Sequence, residues 1–345
     1  MNWVIAIIKV VFIWTWCLLW ATVMTWAERR GSAMIQDRLG PNRAGPFGLF
    51  QPIADGIKLF TKEEFRPQTA RKILFNLGPI LFAIPAFSAY AVIPFGDKIV
   101  IGGKEILLQV ADVNIGFLYV LAIGALAVYG IVVGGWGSNN KYSILGGLRS
   151  TAQLISYEVP WGLALLAAVF VYGTFDLRQI ALEQTGTFLG FLPNWGVFKQ
   201  PLGFLIFTVA AYAEANRVPF DLPEAESEIV AGYHTEYGGM RLGLYLFGEY
   251  VNLYTLSALC VTLYFGAWNL PYIDMSKFLG PISYGIASFV VFWLKVMVFL
   301  LSFIWVRWTV PRFRYDQVMR LGWKTLIPLA LFNLLITALF IQLTV

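Results

Sequence analysis

Eight predominantly apolar stretches punctuate the chain, at about 3–26, 73–95, 113–135, 152–175, 201–218, 244–268, 282–306 and 326–345. Crossing roughly 30 Å of hydrocarbon takes about 20 residues at ~1.5 Å each, so every stretch is long enough to span a membrane. In lipid, a chain that is not a closed barrel satisfies its backbone hydrogen bonds only as helix. The pattern predicts an all-α polytopic membrane protein with about eight transmembrane helices, forming a single integral membrane domain over 1–345.

One polar segment carries a period of its own. Phe50, Ile53, Ala54, Ile57 and Phe60 fall on one helical face, with Gln51, Asp55, Lys58 and Lys62 mostly elsewhere. Pro52 suits only a first turn. This predicts an amphipathic helix lying in the cytoplasmic interface. The turn at 40–48, GPNRAGPFG, positions that helix, which suits a cavity floor or a docking place better than a plain anchor. The first apolar stretch is expected to stay as a span. It lacks a basic leader and an A-x-A site, and it ends in Glu28-Arg29-Arg30.

Composition agrees. Of 345 residues, 58% are hydrophobic and 13% charged, against about 45–50% and 25% in soluble domains. The segments 27–72, 136–151, 219–243 and 307–325, with Arg217, hold eighteen of the 25 Lys and Arg, and the segments on the other side hold five. By the positive-inside rule these four segments, the acidic loop 219–243 among them, face the cytoplasm (or a mitochondrial matrix) and both termini face outward. These loops account for the net charge of +5 without nucleic acid. Cys17 and Cys260 lie within spans and His234 is the only histidine. These exclude a bis-histidine haem and the usual iron–sulfur ligand sets. No glycine-rich nucleotide fingerprint follows a strand-like run, so electrons for any redox chemistry come from a partner.

Glu158, Glu214 and Glu249 fall inside spans. A charge at mid-membrane costs about 2.5–3.5 kcal/mol on insertion scales, so such residues normally face a bundle interior or water. Counted from the span ends, all three lie roughly 6–9 Å below the basic-side interface. One depth on three helices predicts one polar cluster, in which neighbouring carboxylates exchange protons. Lys295, nearer mid-membrane, is placed to continue the path. The competing reading is local neutralisation, as of Glu214 by Arg217 at i,i+3.

The segment YAEANRVPFDLPEAESEIVAGYHTEYGG (212–239) holds six of the twenty carboxylates. Asp221-Leu222-Pro223-Glu224 has the form of a helix start, with Asp221 capping. Glu226 and Glu228 follow near the same positive helix end. The bland reading is acids decorating a helix N-terminus. Repulsion among three acids in five residues opposes it.

Four motifs, ERRGSAMIQDRLGPNRAGPFGLFQPIADGIKLFTKEEF, KYSILGGLRSTAQLISYE, EANRVPFDLPEAESEIVAGYHTEYGGM and PRFRYDQVMRLGWK, resemble the H subunit of respiratory complex I (NADH dehydrogenase subunit 1 in mitochondria). The resemblance covers essentially the whole chain. It implies a membrane component of a proton-pumping NADH:quinone oxidoreductase that joins the membrane arm to the peripheral arm and walls the quinone cavity. Spans two to six (73–268) would resemble a half-channel of the antiporter-like subunits. Quinone would be the substrate, with NADH, flavin and iron–sulfur clusters on partner subunits. The implied acid row is Asp221, Glu224, Glu226 and Glu228, then Glu214, Glu158 and Glu249. Arg29, Asp55, Phe220, Arg307 and Arg314 would line or guard the quinone path. Some members carry a further acid in the third span, and here 119–130 (YVLAIGALAVYG) has none. Two other readings are the membrane anchor of a related energy-converting hydrogenase and a stand-alone cation/proton antiporter. The long basic loops, suited to docking a soluble arm, count against the antiporter. The quinone-facing motifs count against the hydrogenase anchor.

Overall fold

The computed structural model describes residues 2–188, 190–222 and 226–344. In chain order its helices are α1 (Asn2–Ile35), α2 (Gln51–Thr61), α3 (Lys72–Ala89), α4 (Gly116–Gly137), α5 (Lys141–Tyr172), α6 (Leu177–Glu183), α7 (Gly196–Lys199), α8 (Pro201–Glu214), α9 (Glu226–Ile229), α10 (Gly239–Tyr264), α11 (Pro281–Thr309), α12 (Tyr315–Arg320) and α13 (Ile327–Thr344). A π-helical turn, Leu321–Leu326, joins α12 to α13. The strands are two short antiparallel hairpins, β1 (Lys98–Ile101) with β2 (Lys104–Leu107) and β3 (Thr187–Phe188) with β4 (Leu192–Pro193).

Seven of these helical runs are long and apolar enough to cross a membrane. The eighth predicted span, 201–218, is a shorter apolar helix, α8, of 14 residues. It stops at Glu214 because the chain reverses at Asn216 (φ 49°), a left-handed position that Asn tolerates. Pro219 then withholds a backbone N–H. Gln153 of α5 donates to the carbonyl of Ala213 at 2.8 Å, satisfying one of the orphan acceptors at that helix end.

The expected interfacial helix is α2. Pro52 sits in its first turn. Ile53, Ile57 and Phe60 are exposed along one face, while Asp55 on the other side meets Arg29 of α1. The most enclosed of the long apolar helices is α10, with 78% of its apolar window buried. It packs on α1, α2, α3, α8 and α11, so any residue on it faces several neighbours.

Between helices in lipid there is little hydrophobic drive, and small residues that let backbones approach supply the packing. The α3–α4 pair shows this. A Cβ added at Gly130 would lie 2.5 Å from the backbone nitrogen of Phe82, and one at Gly137 would lie 2.7 Å from that of Phe75. A Cβ at Gly124, on the same helix, would meet nothing within 4 Å among the described residues. Gly130→Ala should therefore destabilise the protein by about 1–3 kcal/mol, the usual cost of overpacking, whereas Gly124→Ala should be neutral. Thermal unfolding of the two solubilised variants checks this, and equal midpoints would contradict the packing described.

Candidate functional site

A cavity of about 550 Å³ opens between α1, α2, α10 and α11, at the ends that carry the basic segments. Leu242, Leu246, Phe247 and Trp308 give it an apolar flank. Glu28, Arg29, Asp55, Arg217, Glu249, Tyr250 and Arg307 give it a charged one. Each polar group arrives for a local reason. Arg29 follows Glu28 near the C-terminal end of α1, and Asp55 is on the polar face of α2. Arg307 lies in the last turn of α11. Glu249 and Tyr250 come from adjacent positions on α10.

Ion pairs hold the charged flank. Arg29 Nη1 contacts Asp55 Oδ2 at 2.6 Å, tying α1 to α2, with Lys58 Nζ 3.8 Å from Oδ1. Glu28 is buried and accepts from Arg307 Nη1 and from the Tyr250 hydroxyl, the latter at 2.7 Å. Arg217 lies over the Tyr250 ring at 4.6 Å and places one nitrogen 3.8 Å from Glu28 and another 3.9 Å from Glu249. Glu249 in turn accepts from the Tyr233 hydroxyl at 2.9 Å, and His234 Nε2 lies 3.9 Å away. The result is a continuous array of alternating charge, from α11 through α1 and the loop after α8 to α10.

Glu249 also lines a second, small cavity of about 10 Å³ with Glu214, Asn216 and Asn252. Gly124, Ala127 and Val128 of α4 close it from one side. Glu214 Oε2 is sealed from solvent and accepts no hydrogen bond among the described residues. The charge of Glu158 on α5 is close enough to act on Glu214. Of the three embedded carboxylates expected at one depth, Glu214 and Glu249 share this cavity, while Glu158 does not line it.

Other expected positions fall elsewhere. Lys295 does not continue the row. Its ammonium donates to the carbonyls of Phe265 and Asn269 at 2.7 and 2.6 Å, beyond the C-terminal end of α10, and lies over Trp195. Phe265 is 16 residues beyond Glu249, about 24 Å along a helix. Orphan carbonyls at a helix end attract a cation more strongly than distant acids do. Phe220 is buried between Tyr157 and Phe313 rather than on the cavity wall. Arg314 is exposed, caps α12 and pairs with Asp316 at 3.6 Å. The helix start expected at Asp221 runs into residues 223–225, which lie outside the described residues. The Asp221 carboxylate meets Arg312 at 2.8 Å, and among the described residues α9 runs Glu226–Ile229. Glu228 pairs with Arg149 at 2.6 Å on the surface. Glu224 and the side chain of Glu226 lie outside the described residues. Glu28, Tyr233 and Tyr250 join the site without a sequence signal of their own. Glu28 reads in sequence only as part of a charged stop after the first span, and the arginines that meet it, Arg217 and Arg307, are far along the chain.

The sequence profile of the NADH dehydrogenase family matches residues 8–338. The chain belongs to the H-subunit family of NADH-quinone oxidoreductases. It is 49% identical over 330 residues to the first of the numbered NADH-quinone oxidoreductase H subunits of Cytophaga hutchinsonii, covering 96% of this chain and 94% of that one. It is 50% identical over 329 residues to the second such protein of Geobacter sulfurreducens, covering 95% and 94%. With the H subunit of Flavobacterium psychrophilum it shares 47% over 333 residues, covering 96% and 95%. These relatives are matched almost end to end, so the arginine–glutamate array belongs to one component of a larger enzyme complex. Removing one partner of a buried ion pair costs about 3–5 kcal/mol, and losing a hydrogen bond to a charged group costs about 1.5–3 kcal/mol. Glu28→Ala, which removes the anion shared by Arg217 and Arg307, should therefore lower the stability of the assembled protein more than Tyr250→Phe. Thermal unfolding of the purified complex measures both, and an unchanged midpoint for Glu28→Ala would show that the array carries no stability.

Proposed function

We propose that this chain forms part of the quinone cavity of a proton-translocating NADH:quinone oxidoreductase and couples quinone reduction to proton movement. The observation that carries the proposal is that Glu249 borders both the large cavity and the small one containing Glu214. The large cavity takes the quinone. Its apolar flank of Leu242, Leu246, Phe247 and Trp308 suits an isoprenoid tail entering from the bilayer. The Arg29–Asp55 and Arg307–Glu28 pairs suit the polar headgroup and its passage. Electrons come from NADH through flavin and iron–sulfur clusters on partner subunits, which dock on the basic segments. Two electrons and two protons convert quinone to quinol, and the proton demand falls beside this array.

Glu249 is the relay. Arg217, shared between Glu28 and Glu249, transmits a charge change at the cavity wall to Glu249. The small cavity has about the room that one water needs, and Glu214, Glu249 and the two asparagines give it polar partners. Such a water carries a proton from Glu249 to Glu214, and Glu158 continues the path on α5. The membrane is the bacterial cytoplasmic membrane, with the basic segments inside and both termini outside. The names of the relatives favour this reading over a hydrogenase anchor.

Two sets of variants separate the roles. Arg29→Ala or Asp55→Ala should raise the apparent KM for quinone or lower the quinone-dependent rate, while NADH oxidation by an artificial acceptor persists. Glu214→Gln should lower quinone reductase activity and pumping together, and Glu214→Asp should retain part of both. An intact complex carrying Glu214→Gln that pumps at full rate would overturn the proton role. Unchanged quinone kinetics in Arg29→Ala and Asp55→Ala would overturn the cavity role.

A further inference from the structure

A third concavity, of about 230 Å³, lies away from this site on the flank of the bundle. It runs between α4 and α5 and is lined by Val132, Trp136, Ile144, Gly147 and Leu148. Its shape follows from glycine. A Cβ at Gly147 would lie 3.4 Å from the carbonyl oxygen of Ile131 and 3.8 Å from the Cα of Gly135, so the helices nearly touch there. The larger side chains stand around that contact, and Trp136 and Leu148 are each 58% exposed.

The mouth of the groove is basic. Arg71 holds its guanidinium 5.9 Å from the centre of the Trp136 ring, and its backbone N–H donates to the carbonyl of Gly137 at 2.9 Å. Lys72 begins α3, and Lys141 begins α5 one turn before Ile144. All three side chains are exposed. The nearby acid, Glu236, accepts from Asn140, the cap of α5, at 2.5 Å. The positive ends of two long helices, α3 and α5, lie at the same place.

We infer that this groove holds an acyl chain of an anionic phospholipid whose phosphate is bound by Arg71, Lys72 and Lys141. Charge complementarity decides the occupant. An exposed apolar slot under three cations matches an anionic headgroup with its tail, and basic pockets between transmembrane helices take such headgroups. Trp136 sits where an indole belongs, at the level between acyl chains and headgroups. The inference does not depend on the quinone reading, because the groove shares no residue with that cavity.

The test uses the intact complex, washed in detergent and then titrated with phosphatidylglycerol or phosphatidylethanolamine, with bound lipid counted by native mass spectrometry. Each cation at a membrane surface is worth about fivefold in affinity for an anionic lipid. Arg71→Gln with Lys141→Gln should thus weaken phosphatidylglycerol binding on the order of 25-fold and leave phosphatidylethanolamine nearly unchanged. Val132→Trp, which fills the slot with the cations intact, should also lose the bound phosphatidylglycerol. A photoreactive benzoylphenylalanine at position 148 should crosslink to lipid. Undiminished phosphatidylglycerol in both variants would overturn the inference. So would loss in the charge variant alone, which would mean surface attraction without a groove. Crosslinking of position 148 to another protein chain would overturn it too, by assigning the groove to a neighbouring helix.

Discussion

A carboxylate cannot rest in hydrocarbon without a cation, a donor or a proton, and this constraint organises the molecule. Glu28 and Glu249 both satisfy it through neighbours on other elements. Glu28 takes Arg307 from α11 and Tyr250 from α10, and Arg217 lies between it and Glu249. Helices far apart in sequence are therefore fixed against one another by charge at one level of the bundle. These charge contacts add to the close glycine packing seen between α3 and α4.

Glu214 satisfies the constraint differently. It ends a short helix, α8, beside a small polar cavity and within reach of the charge of Glu158. Glu28, by contrast, is paired with arginines from two other elements. That contrast is the physical basis for assigning Glu28 to the cavity wall and Glu214 to proton transfer in the proposed function. Glu249, on the most enclosed of the long helices, meets both kinds of surroundings.

Much of this is legible in the sequence. Seven of the eight apolar stretches are helices long and apolar enough to cross a membrane, and the amphipathic α2 follows from Phe50, Ile53, Ile57 and Phe60. Counting residues from span ends puts Glu214 and Glu249 at one level, and the two line one small cavity, because helix rise is nearly invariant. What the sequence hides involves partners distant along the chain. Depth puts Lys295 nearer mid-membrane than the acids, but the sequence does not show that the carbonyls of Phe265 and Asn269, near the far end of α10, are its partners. Local spacing gives Asp221 no long-range partner, and Arg312, 91 residues later, pairs with it. Glu28, beside two arginines at a span end, looks like a stop signal. Only the tertiary structure shows that Arg217 and Arg307 converge on it.

The central claim is that Glu249 joins the quinone cavity to the membrane carboxylates. The most direct measurement is proton uptake and release by the complex carrying Glu249→Gln in sealed proteoliposomes, measured with its quinone reductase rate and compared with Glu249→Asp. The account predicts that Glu249→Gln assembles, still oxidises NADH with an artificial acceptor, and loses quinone reduction and pumping in the same proportion, while Glu249→Asp keeps part of both. Full pumping by an assembled Glu249→Gln complex would contradict it.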